Sequence, residues 1–337
     1  MNVLVHVVDG VGVLTLNRPT VLNALDLPTV RALARQLTAW ADDPAIRAVL
    51  LRGTGERAFC AGGDVRALYH LNLAGSAEVG RFFDEEYALD CQIHRYPKPT
   101  IALMDGVVMG GGMGISQGCT HRLVSERTRM AMPETAIGLF PDVGGSYFLS
   151  RLGVARGAYV GVLGDTLSGA DAVAIGLADR LLPSAALADL PALIAALDAE
   201  AWPTAPPACT VPSQLDGHIL AAIKRHFRWD AVPAILDSLA GEADPACQPW
   251  ARRCLELLAQ RSPLMLHVAL AQVRRGAGLS LEECFAMERR LMEHCFGPLG
   301  DALEGIRALL VDKDLAPRWR HAQATAVDAA EVAAFFA

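Results

Sequence analysis

Three glycine-rich segments in the first half of the chain carry the residue types from which a catalytic site can be built. They are Ala58-Phe-Cys-Ala-Gly-Gly-Asp64, Asp105-Gly-Val-Val-Met-Gly-Gly-Gly-Met-Gly114 and Ala131-Met-Pro-Glu-Thr-Ala-Ile-Gly-Leu-Phe-Pro-Asp-Val-Gly-Gly145. Glycine lets a backbone N–H approach a ligand with no side chain between them. Two such N–H groups converging from separate loops make an oxyanion hole for a carbonyl under attack. The run Gly110-Gly-Gly112 reads equally as a tight turn that allows close helix packing. It fits no dinucleotide fingerprint, and the chain has no phosphate-binding P-loop pattern.

The third segment adds acids. Glu134 follows Pro133, and Asp142 stands eight residues on among Ile137, Leu139, Phe140 and Val143. A carboxylate in such company is either structural or has a shifted pKa and a task. The structural reading makes Glu134 a first-turn glutamate favoured by the helix dipole. It makes Asp142 the N-cap of a helix opening near Gly144. A third position follows from geometry. In a helix over 78–94, Val79, Phe82, Phe83, Leu89 and Ile93 form one apolar arc. Glu86 and Asp90 fall inside that arc, while Asp84 and Glu85 point outward. Acids on a buried face need a partner or a function, and a buried ion pair or a cap would also serve. One rival nucleophile is present, because Gly114-Ile-Ser-Gln-Gly118 matches the serine elbow of α/β-hydrolases. That elbow needs a strand running straight into the serine. Residues 110–114 are too glycine-rich for a central strand, so Ser116 is expected inside a helix.

The elements that would position these groups alternate. Residues 3–8 and 12–16 read as a hairpin, and 28–41 as an amphipathic helix with Val30, Leu33 and Leu37 on its apolar face. Strands follow at 48–52, 100–103, 123–124 and 130–132, most of them separated by helical stretches. The fold class is therefore α/β. The texture changes near Trp202, where residues 202–214 carry four prolines and no helical period. The expected organisation is an α/β core over 1–201, a Pro-rich linker over 202–217 and a helical C-terminal subdomain over 218–337. Ser280-Leu-Glu-Glu283 is a capping box that opens a helix through Met287 and Leu291.

Composition narrows the classes of function. Of 337 residues, 52% are hydrophobic and 20% charged, enough apolar material for a large core. A formal net charge of −7 argues against a nucleic-acid surface, so an anionic ligand would need a local basic patch or helix N-termini. No run of eighteen apolar residues suggests a membrane span, and the N-terminus reads as a strand rather than a signal peptide. The eight cysteines show neither CxxC nor zinc-ligand spacing. Reduced thiols, no metal site and a cytoplasmic location are the expectation.

With these residues in hand, the chain resembles the crotonase (enoyl-CoA hydratase/isomerase) superfamily, and within it the 3-hydroxyisobutyryl-CoA hydrolase branch. The resemblance rests on Leu16-Asn-Arg-Pro19 with Leu22-Asn-Ala-Leu25, and on Ala58–Asp64, Met109–Gly114 and Met132–Gly145. The tail string Glu304-Gly-Ile-Arg-Ala-Leu-Leu-Val-Asp-Lys-Asp-Leu-Ala-Pro-Arg-Trp319 completes it, so nearly the whole chain is covered. It implies a spiral core of ββα turns with an appended helical subdomain. It also implies an oxyanion hole from the N–H groups of Gly63 and Gly111. Glu134 matches the second glutamate of the hydratases. Gly114 stands where hydratases carry their first catalytic glutamate, which argues against hydration. Asp142 stands where they usually carry glycine, and an acid there typifies the hydrolase branch. Glu86 matches an acid that the hydrolases use around the substrate.

What the resemblance implies is hydrolysis of a short 3-hydroxyacyl-CoA, with 3-hydroxyisobutyryl-CoA of valine breakdown the leading example. Glu134 would act as nucleophile or as general base, and Asp142 and Glu86 would hold the substrate hydroxyl and position water. No cofactor is implied, since coenzyme A belongs to the substrate. The backbone near 22–24 is where the resemblance would seat the CoA adenine. Relatives of this kind form trimers, so a homo-oligomer is expected unless the helical tail replaces subunit contacts. Three other readings stay open at this point: an enoyl-CoA hydratase or isomerase, a serine-dependent thioesterase using Ser116, and a CoA-binding protein without catalysis.

Overall fold

The computed structural model describes residues 1–198 and 211–337. In chain order the strands are β1 (Val3–Val8), β2 (Val11–Leu16), β3 (Ala48–Gly53), β4 (Ala58–Cys60) and β5 (Thr100–Met104). They continue with β6 (Val107–Met109), β7 (His121–Val124), β8 (Arg129–Ala131), β9 (Leu167–Ser168) and β10 (Arg180–Leu181). The hairpin of β1 and β2 forms as its sequence suggests, with Val8 opposite Val11. Its turn residues Asp9 and Gly10 take φ of 46° and 74°, the left-handed pair that a two-residue hairpin requires.

The chain divides into two compact units, each assembled from three stretches. The first comprises Met1–Gly63, Glu85–Ala131 and Thr166–Gln214, and it holds both sheets. One sheet runs in the order β1-β2-β3-β5-β7-β10, parallel from β2 onward. Strands of a parallel sheet are covered on both faces, and β2 and β5 are buried along their whole length. Val11, Val13, Leu50, Ile101, Leu103 and Leu123 form a core with Leu187, Leu193 and Ile194 from the helices Ser184–Ala188 and Leu190–Asp198. The smaller sheet, β4-β6-β8-β9, pairs β4, β6 and β8 in parallel. The amphipathic helix Leu27–Ala41 buries Val30, Leu33 and Leu37, the positions its period picks out.

The second unit comprises Asp64–Asp84, Met132–Asp165 and Leu215–Ala337, and it is helical. Chain order therefore does not delimit the units. Residues 132–165 group with the C-terminal helices because the helix Pro263–Gly276 buries apolar residues along its length, including Leu264, Val268 and Val273. A Cβ on Gly157 would come within 2.9 Å of the Val273 side chain. The linker expected at 202–217 falls mostly outside the described residues. The capping box at Ser280 forms, with Ser280 and Glu283 each bonded to the other's backbone.

Candidate active site

In the first unit, glycine allows two loops to close on each other beyond β4 and β6. A Cβ on Gly62 would lie 2.9 Å from the Met109 carbonyl oxygen, and one on Gly112 would lie 2.3 Å from that of Cys60. Gly110, at φ 48° and ψ −119°, takes a conformation open only to glycine. Leu25 bridges Gly63 in parallel, its N–H donating to the Gly62 carbonyl at 2.8 Å. Such a bridge leaves the Gly63 N–H pointing away from the partner strand. Gly111 opens the helix Gly111–Gln117, where the first N–H has no acceptor inside the helix. A Cβ on Gly111 would stand 3.4 Å from the Gly63 nitrogen and 2.5 Å from Glu86 Oε1. Two backbone N–H groups and a carboxylate thus converge where only hydrogen fits on Gly111.

The Leu22-Asn-Ala-Leu25 motif props this arrangement. Leu22 and Asn23 both take positive φ. The buried Asn23 side chain accepts from the Arg18 N–H and donates to the carbonyls of Thr54 and Ala58, at 3.0, 3.1 and 2.8 Å. Leu25 is thereby fixed beside Gly63. Glu86 and Asp90 are 2% and 0% exposed on the helix Glu78–His94, as its periodicity requires. Burial pushes the nearby Cys60 thiol up to about 12, with both carboxylates adding to the effect, so Cys60 is no nucleophile.

In the second unit, Glu134 opens the short 3₁₀ turn Glu134–Ile137. The turn is seated by close backbone approaches. Gly138, at φ 74°, would put a Cβ 2.2 Å from the Asp301 carbonyl oxygen, and Gly305 would put one 2.3 Å from the Ile137 carbonyl. The tail string beginning at Glu304 therefore packs directly behind Glu134. Thr135 adds two tethers, accepting from the Ser262 N–H at 2.9 Å and donating to the Val162 carbonyl at 3.1 Å. Glu134 is indeed a first-turn glutamate, but it is 5% exposed and its Oε2 has no hydrogen-bond partner among the described residues. A dipole-favoured surface acid would not look like this. Burial first, and then the Asp142 carboxylate, hold its pKa well above the ordinary range.

Asp142 is also buried, at 7% exposure, but it is not the N-cap its position suggested. The helix Gly145–Arg151 is capped by Gly144 with no side-chain bond from that residue. Glu288 does the work instead, accepting the N–H groups of Gly144 and Ser146 at 2.8 Å each. This buried acid was missed in the sequence. Its signal was there, because Glu288 lies in the apolar stripe of Leu281, Cys284, Leu291 and Cys295, the pattern that singled out Glu86 and Asp90. The serine elbow is overturned. Ser116 is wholly buried inside the helix Gly111–Gln117, with its Oγ donating to the Met113 carbonyl at 3.1 Å. Gly114 lies in the same helix, so no acid side chain arises there.

A sequence profile described as enoyl-CoA hydratase/isomerase matches residues 11–336. The chain belongs to the enoyl-CoA hydratase/isomerase family. Among curated members, it is 38% identical to the mitochondrial 3-hydroxyisobutyryl-CoA hydrolase of Gallus gallus, over 95% of this chain and 85% of that protein. It is likewise 38% identical to 3-hydroxyisobutyryl-CoA hydrolase 1 of Arabidopsis thaliana, over 94% of this chain and 86% of that one. Among solved members, an enoyl-CoA hydratase from Rhodobacter sphaeroides superposes with a TM-score of 0.90 at 37% identity, covering 100% of this chain and 97% of that one. A carnitinyl-CoA dehydratase from Mycobacterium thermoresistibile superposes at 0.87 with 43% identity, covering 100% and 96%. The crotonase-type α/β fold expected from the motifs is the fold of this chain.

Proposed function

We propose that this enzyme hydrolyses a short 3-hydroxyacyl-CoA thioester, 3-hydroxyisobutyryl-CoA being the leading candidate, to the free acid and coenzyme A. The observation that carries the reading is Glu134, a buried carboxylate with an unsatisfied oxygen and Asp142 beside it. In this reading the Gly63 and Gly111 N–H groups donate hydrogen bonds to the thioester oxygen as charge builds on it. Glu134 delivers the oxygen nucleophile. It does so by attacking the carbonyl carbon itself, or by taking a proton from the water that attacks. Either way the tetrahedral intermediate collapses with the C–S bond breaking, and the CoA sulfur leaves as thiolate and gains a proton. On the direct route, water then cleaves the mixed anhydride and restores Glu134. Asp142 and Glu86 would hold the substrate hydroxyl and orient water. No cofactor enters this scheme, and coenzyme A arrives as part of the substrate.

The descriptions of the two solved relatives favour a second reading, addition or removal of water across an enoyl-CoA double bond. Hydration needs one group to activate water and another to handle the α-proton. With glycine at position 114, the family's two-glutamate arrangement is lacking. The hydrolase names of the curated relatives support the first reading. A place in valine breakdown is proposed with it. The cytoplasmic location is proposed on the free thiols of Cys60, Cys91, Cys119, Cys247, Cys254, Cys284 and Cys295; "mitochondrial" belongs to the names of the vertebrate relatives. Among the described residues, no helix is long and apolar enough to cross a membrane. A homo-oligomer is proposed from the family alone.

The test is release of free thiol from a panel of acyl-CoA esters by wild type, Glu134→Gln and Ser116→Ala. Glu134→Gln is expected to lower kcat at least about a hundredfold. Ser116→Ala is expected to turn over like wild type. A Ser116→Ala variant without activity would restore the serine reading, and loss of enoyl absorbance with no thiol released would favour hydration.

A further inference from the structure

Glu288 has no part in the chemistry proposed above, yet its placement is costly. It is 0% exposed on the helix Leu281–Phe296. Burying a carboxylate is unfavourable unless good hydrogen bonds replace its hydration. What Glu288 holds is more than a helix end. Its two oxygens take the N–H groups of Gly144 and Ser146, on either side of Gly145. Immediately before Gly144, which itself takes φ 85°, the backbone is strained at Val143, with φ 53°. A β-branched residue in the left-handed region persists only where its surroundings enforce it.

A second side chain grips the same segment. Gln272, on the helix Pro263–Gly276, donates through Nε2 to the Pro141 carbonyl and, at 2.8 Å, to Ser146 Oγ. On that helix Gly276 allows the segment to seat, since a Cβ there would lie 2.1 Å from the Ser146 carbonyl oxygen. Residues 141–146 are therefore pinned at both ends by two buried polar side chains from two C-terminal helices. Asp142 lies inside the pinned stretch.

We propose that Glu288 is a positioning residue: by accepting both amides it locks the Val143–Gly144 turn and so fixes the direction in which Asp142 presents its carboxylate. This rests on the reading that Asp142 and Glu134 act together on a thioester. A residue that served only to cap the helix would give up stability when changed, and its effect on turnover would not depend on Asp142.

The experiment uses the full chain at a pH above about 8, where Glu288 is ionised, and the variant Glu288→Gln, in which one of the two amides loses its acceptor and meets an N–H donor. Hydrogen exchange read by mass spectrometry over residues 141–148 is compared with wild type. Exchange there is expected to accelerate about tenfold or more, with the strands at wild-type protection. Alongside it, kcat and KM for thiol release are measured for wild type, Glu288→Gln, Asp142→Asn and the double variant. The expected result is a kcat about tenfold lower with KM within about twofold, and no further loss from Glu288→Gln once Asp142 is Asn. Unchanged exchange would overturn the proposal, as would equal losses in both backgrounds. Gln272→Leu removes the other grip and is expected to give the same pattern if Glu288→Gln does not fold. Wild-type protein that released no thiol from any ester would sink the functional reading and the Asp142 half of the proposal with it. Unchanged exchange in an active enzyme would sink the tether alone.

Discussion

Glu134 and Asp142 are both buried acids, and the Asp142 charge makes Glu134 harder to ionise. Burial is the larger cause of the raised Glu134 pKa, and the Asp142 charge adds to it. Either route from Glu134 requires its ionised form, so activity should climb with pH along a limb lying above the ordinary carboxylate range. Replacing Asp142 with Asn removes the charge while keeping the shape. The acidic limb of kcat/KM should then move to lower pH, even as kcat falls. A limb that stays in place, or moves upward, would show that Asp142 does not act on Glu134 through its charge. Cys60 and Ser116 make the contrast at the same scale. Both are nucleophilic residue types in glycine-rich motifs. One has its thiol pushed up to about 12, and the other spends its hydroxyl on a backbone carbonyl.

At the scale of elements, close backbone approach does the positioning. The turn that bears Glu134 is seated against the short helix Ala302–Ile306 through Gly138 and Gly305. Gly138→Ala would add a side chain at positive φ and drive it into the Asp301 carbonyl. It should cost at least about 2 kcal/mol and lower the melting temperature by about 3 °C or more. Gly305→Ala meets the Ile137 carbonyl and should behave alike. Wild-type melting of both variants by calorimetry would contradict this packing. These contacts also explain which parts of the site were legible in the sequence. Glu86 and Asp90 could be placed because helical periodicity is local, and the structure buries both. The glycine runs announced close approach without naming the partner. The structural reading of Asp142 as a cap fails because the group that holds this helix end, Glu288, comes from 144 residues away. Such a long-range contact leaves no mark in the local pattern beyond an acid on an apolar stripe.

At the scale of the whole molecule, the buried acids set how stability depends on pH. Burial is the chief cause that raises Glu288 from 4.5 to about 8, against the lowering effect of its hydrogen bonds to Ser146 and Gly144. Between those pH values the folded chain holds a proton that the unfolded chain has lost. This stabilisation is complete below about pH 4.5 and is lost as pH rises toward about 8, and Glu134 acts in the same direction. Glu288→Gln should therefore flatten the decline in unfolding free energy across that window by about 1.4 kcal/mol per pH unit at most. Urea titrations at several pH values would read it, and parallel slopes for variant and wild type would contradict it. The chemistry proposed above is that Glu134 drives thioester hydrolysis, in a family whose solved members include a hydratase and a dehydratase. The most direct measurement is free-thiol release from 3-hydroxyisobutyryl-CoA and a panel of other acyl-CoA esters, by wild type and Glu134→Gln side by side. The account predicts rapid release from short 3-hydroxyacyl esters by the wild type and loss of at least about a hundredfold in the variant. Equal rates in the two proteins, or no thiol from any hydroxyacyl ester, would contradict it.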